Sequence, residues 1–80
     1  MYYLYGSKPG VARKLVATFD SEAQLLAYVG WATLSKGPDG ASKFEQGSAL
    51  TSCRGWEKSA KPLADDDATQ VVHNPSPSML

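Results

Sequence analysis

Apolar and polar positions near the start of the chain fall into two short β-prone bursts. Tyr2-Tyr3-Leu4-Tyr5 is aromatic and suited to a strand. Gly6-Ser7-Lys8-Pro9-Gly10 is a dense cluster of turn formers. Val11 to Phe19 then alternates, with Val11, Leu15, Ala17 and Phe19 on one side and Lys14, Val16 and Thr18 on the other. Two strands across a five-residue loop predict a hairpin.

The pattern changes at Asp20-Ser21. Ser21 followed three residues later by Gln24 is a capping-box start. A helix is predicted from about Ser21 to Ser35, ended by Gly37-Pro38-Asp39-Gly40. At 100° per residue, Leu25, Leu26, Tyr28, Val29 and Ala32 share an arc of about 160°, the expected core face. It would lie on Leu15, Ala17 and Phe19. Trp31 and Leu34 fall outside the arc, beside the small residues Ala23, Ala27 and Gly30. The segment from Phe19 to Leu34 carries only Asp20 and Glu22 as charges, few for a solvated helix.

Ser42–Glu45 and Leu50–Lys58 predict two further strands, with Gly47 as a turn and Gly55 as a bulge. Composition shifts at Lys61-Pro62. Residues 63–72 read either as a short helix opened by Asp65-Asp66-Asp67 or as an edge strand over Thr69–Val72. Residues 73–80, with Pro75 and Pro77, read as a disordered tail. The expected fold is therefore α+β: a small antiparallel sheet of two hairpins, in the order β-β-α-β-β. One main helix covers one face, in a single domain over residues 1–62.

At 80 residues, such a domain buries only roughly 60% of its unfolded surface. Self-association or a docked tail would add to its stability. Eight basic residues balance eight acidic ones, but unevenly. Residues 1–62 carry eight basic against five acidic, a net of +3, and residues 63–80 carry the three remaining aspartates. One cysteine, Cys53, gives no internal disulfide and fits a reducing compartment. MYYLYGSKPG lacks the basic start and apolar run of a signal peptide, and no stretch reaches membrane-span length. The expectation is a cytoplasmic protein.

Candidate chemistry is sparse. Cys53, His73 and Asp65–Asp67 supply the residue types of a thiol triad, but His73 borders the tail, a poor mount for a base. One Cys and one His do not fill a zinc site, and the aspartate run lacks calcium-loop spacing. No phosphate-loop or dinucleotide fingerprint occurs. No catalytic, cofactor or metal residue is therefore assigned, and no cofactor is expected.

The uncharged second helix face points instead to a non-catalytic domain that binds another protein or a second copy. Its contacts are Tyr28, Trp31 and Leu34. In the contrasting reading, Leu63, Val71 or Val72 covers Trp31. An alternative function is weak nucleic-acid binding on a sheet face formed by Tyr3, Tyr5, Lys14, Arg54 and Trp56. A small enzyme without a motif is third. No membrane partner is expected.

Overall fold

The computed structural model describes residues 1–34, 37–38, 40–43, 50, 52–63 and 71–75. The described strands are β1 (Tyr2–Lys8), β2 (Val11–Phe19), β3 (Ser42–Lys43), β4 (Ser52–Cys53), β5 (Gly55–Ser59) and β6 (Val72–His73). The helix α1 spans Glu22–Leu34. The architecture is α+β, with a four-stranded sheet in the order β5-β1-β2-β6 and a separate ribbon β3-β4.

The first hairpin forms, with a shorter turn than the glycine and serine content suggested. Pairing runs up to Lys8 opposite Val11, leaving Pro9-Gly10 as the turn. Proline fixes φ at the first corner, and Gly10 takes φ +80° at the second, the arrangement of a type II turn. At the next junction, Ser21 caps α1. Its Oγ accepts the Gln24 N–H at 3.3 Å and donates to Gln24 Oε1 at 3.0 Å. The chain after the helix closes a turn in which Gly40 N–H donates to the Gly37 carbonyl at 2.9 Å. Ser35, Gly47 and the Asp65–Asp67 run lie outside the described residues.

Two irregularities in β2 change which side chains face the helix. Leu4 pairs with Ala17, and Tyr5 with Leu15, so Val16 is an extra residue. A bulge of this kind turns both of its residues to one side. Val16 and Ala17 therefore both join the core with Leu4 and Phe19, while Leu15 is buried on the far face with Tyr5. The strict alternation read from the sequence put Leu15 inside and Val16 outside, and the bulge reverses both. A second shift between Gly6 and Lys8 returns Val11 to the core.

The single antiparallel sheet expected from the sequence is corrected in two places. Leu50–Lys58 does not pair throughout with Ser42–Glu45. The segment breaks at Arg54: Ser52–Cys53 pairs with Ser42–Lys43, while Gly55–Ser59 joins the free edge of β1. Gly55 makes the second junction, because a Cβ there would meet Ser7 Oγ at 2.8 Å. The other edge is closed by β6, which runs parallel to β2, so the sheet is mixed. Val72 lies opposite Ala17, and His73 opposite Thr18.

The segment around His73 is held rather than loose. Asn74 N–H donates to the Thr18 carbonyl at 2.7 Å. Its Oδ1 accepts the Asp20 N–H at 2.9 Å, and its Nδ2 donates to Asp20 Oδ2 at 2.8 Å. Pro75 is buried. The tail expected from residue 73 thus has its first three residues anchored, and residues 76–80 lie outside the described set.

Asn74 adopts φ 49°, a left-handed conformation that asparagine tolerates better than alanine. Asn74→Ala is expected to cost about 2 kcal/mol, combining lost hydrogen bonds with left-handed backbone strain. Asn74→Gly, which accepts that backbone, should cost about half as much. Urea unfolding of both variants checks this, and equal losses would remove the backbone contribution.

Candidate functional site

Leu25, Tyr28 and Ala32 are the buried residues of α1, and they pack onto Leu4, Val16, Ala17 and Phe19. Leu50 and Cys53 complete this core from the ribbon side. Tyr28 is only 2% exposed and sits between Phe19 and Trp31, with ring centroids 5.7 Å away in each case. It supports the helix surface from beneath. Trp31 is half-buried against the same core, whereas Leu34 is 89% exposed.

Leu26 departs from the expected core face, with 49% of its surface exposed. It overhangs a groove between α1 and β5, of about 190 Å³, lined with Val29, Leu25, Leu4, Trp56, Glu57 and Lys58. One rim is tied by an ion pair from Lys58 Nζ to Glu22 Oε2 at 3.5 Å. Ala23, Ala27, Gly30 and Thr33 are also exposed. The outward face of α1 from Ala23 to Leu34 therefore presents leucine, small residues and Gln24 in the first turn, with no charge. A Cβ added at Gly30 would meet nothing within 4 Å.

Of the three residues expected to cover Trp31, Leu63 is placed elsewhere. Its backbone N–H donates to the Tyr5 hydroxyl at 2.8 Å, on the sheet face away from the helix. Val72 sits beside Ala17 in β6.

The residues considered for nucleic acid do not form one surface. Tyr3 and Tyr5 share the far sheet face, while Trp56 packs on the core side. Lys14 lies across Gly6 from Trp56. Tyr5 is 1% exposed. Arg13 lies over its ring at 5.6 Å and binds both Glu57 carboxylate oxygens, at 3.1 and 3.2 Å. A buried ring beneath an ion pair offers no stacking face to a base. Arg54 stands apart, between the ribbon and β5, with its backbone N–H on the Ser7 carbonyl at 2.9 Å.

The thiol set is also dispersed. Cys53 is wholly buried in the core. His73 is engaged elsewhere: Nδ1 lies 2.7 Å from Thr18 Oγ1, and Nε2 lies 3.3 Å from Asp20 Oδ1. An imidazole that accepts the Thr18 hydroxyl at Nδ1 carries its proton on Nε2, the nitrogen nearer Asp20. Hydroxyl, imidazole and carboxylate in sequence have the composition of a nucleophilic relay. Here the His and Asp side chains are about half and two-thirds exposed, at 50% and 66%. Such wet groups lack the water-excluded setting that a relay exploits, and their evident work is to clasp β6 to the start of α1. One signal for this clasp is legible in the sequence, the turn-forming pair Asn74-Pro75.

Among the described residues, no three His, Cys, Asp or Glu side chains converge on a metal-sized site. No described helix is long and apolar enough to cross a membrane. Comparison with protein-family models, curated proteins and solved structures finds no match to this chain.

Proposed function

We propose that the chain is a small non-catalytic interaction domain that docks through the outward face of α1 onto another protein, a second copy included. One observation carries this reading: the solvent side of the helix is free of charge from Ala23 to Leu34, with Leu26 and Leu34 projecting from it. A helix held in place only for its own fold gains solubility from charged residues on that side. Leucine flanked by Ala27 and Gly30 instead permits close approach of a partner backbone, with the leucines as anchors. Trp31 and Tyr28 stiffen the platform from below.

A photo-crosslinking residue placed at Leu34 tests this in the native cell. The expected result is a discrete protein adduct, whose mass tells a second copy from a different partner. Yield no greater than from a crosslinker at exposed Lys61 overturns the reading.

Gly30 supplies a second check. In the isolated monomer, Gly30→Ala should stabilise the helix by about 1 kcal/mol, because glycine is a poor helix former and the space is open. For a domain of this size that raises Tm by roughly 4–8 °C. If a second copy packs there, the added methyl should weaken dimerisation, read by sedimentation across concentration. Unchanged stability together with unchanged association would remove any role for Gly30.

A further inference from the structure

A second cleft lies at the opposite end of the sheet from the β2–α1 junction, where the first hairpin meets the ribbon. It is lined by Lys8, Pro9, Ala41, Ser52, Cys53 and Arg54 and holds about 350 Å³. That is within the size range of small-ligand sites. Among the described residues, no carboxylate lines it. Lys8 and Arg54 make no ion pair among the described residues, although Arg13, Lys58 and His73 each face an acidic side chain.

The two cations are brought together by the fold. Ser7 pairs with Gly55 at the end of the β1–β5 ladder, and just beyond it Lys8 and Arg54 line the same cleft. Arg54 is fixed there by its backbone bond to Ser7. Like charges gathered at one cleft repel. A bound anion removes the repulsion.

The wall behind them is polar as well. Ser52 lines the cleft. Ser42, next to Ala41 and opposite Cys53, lies behind the lining, and its Oγ is fully buried with no hydrogen-bond partner among the described residues.

We propose that this cleft binds the phosphate group of a small phosphomonoester. Arginine presents a planar fork that grips two oxygens of a tetrahedral oxyanion, lysine adds a point charge, and Ser52 adds a hydroxyl. The volume leaves space for a compact organic group, such as a sugar, beside Pro9 and Ala41. This site is separate from the α1 face and does not depend on the docking reading.

The test is a backbone amide NMR titration of the full chain at fixed ionic strength. Probes are inorganic phosphate, ribose 5-phosphate, acetate and a single-stranded oligonucleotide. The expected result is saturable shifts at Lys8, Ser52, Cys53 and Arg54 with both phosphates, tighter for the sugar phosphate. Arg54→Ala and Lys8→Ala should each weaken binding about tenfold, a difference of about 1.4 kcal/mol. Lys61→Ala, off the cleft, should change nothing. Because Arg54 and Lys61 are exposed, their variants should keep the wild-type spectrum outside the mutated position, which separates lost binding from lost fold.

Shifts that never saturate, that acetate reproduces, or that Lys61→Ala weakens as much as Arg54→Ala would overturn the proposal. Binding of the oligonucleotide alone would also overturn it, and would assign the cations to a nucleic-acid backbone.

Discussion

Val16→Lys is expected to abolish cooperative folding. Val16 is 1% exposed and packs with Leu4, Ala17 and Phe19 beneath the helix. Among the described core residues no carboxylate meets an ammonium placed there, and an uncompensated buried charge costs several kcal/mol. The whole stability of a chain this long is on the order of 4–12 kcal/mol. The result also discriminates between two ways of reading β2. Uninterrupted alternation would put Val16 beside Lys14 and Thr18 in solvent, where lysine changes stability by about 0.5 kcal/mol or less. Ala12→Lys in the same strand is the control, because Ala12 is exposed and should accept the substitution. Far-UV circular dichroism and thermal melting measure both. A native-like melt for Val16→Lys would show that the bulge does not turn this residue inward.

Phe19→Ala is the second large effect. Phe19 is fully buried, ends β2 and lies 5.7 Å from the Tyr28 ring at a tilt of 49°. Removing the ring takes away its transfer free energy and leaves a cavity that the two-layer core can only partly close. The expected loss is about 3–5 kcal/mol, against less than about 1.5 for Phe19→Leu if the core repacks. Trp31 rests on Tyr28, so Phe19→Ala should also redden Trp31 fluorescence as its support loosens. Urea unfolding gives the energy. A loss under about 1 kcal/mol would mean that the helix is not anchored on this ring.

The contact surface shows how far pattern reading reaches. The wheel placed Leu34 outside the core, and it is outside. It placed Leu26 in the core because periodicity assigns a face without knowing how wide the surface beneath is. The sheet under that flank is β5, which meets the helix through Trp56 and Lys58 and leaves a groove, so Leu26 overhangs rather than packs. Tyr28 was grouped with Trp31 and Leu34 as a contact, yet it lies within the core arc of the same wheel and is buried there. The phosphate cleft was not legible at all. Lys8 and Arg54 are far apart in the chain, and only the pairing of β5 with β1 brings them to one cleft.

Features with local causes were legible in the chain before it folded. Proline followed by glycine made the first turn, Ser21 with Gln24 began the helix, and aromatic and β-branched residues made the two long strands. Each depends on dihedral preference or hydrogen bonding within a few residues, so neighbouring letters carry it. The bulge at Val16, the break at Arg54 and the parallel strand at Val72–His73 arise from long-range pairing. A bulge exists only relative to a partner strand. Which edge a short strand joins depends on the free backbone groups that distant segments have left unpaired. A parallel edge strand is held by Thr18 and Asp20, whose polar groups meet His73 and Asn74 only after the hairpin and helix have packed.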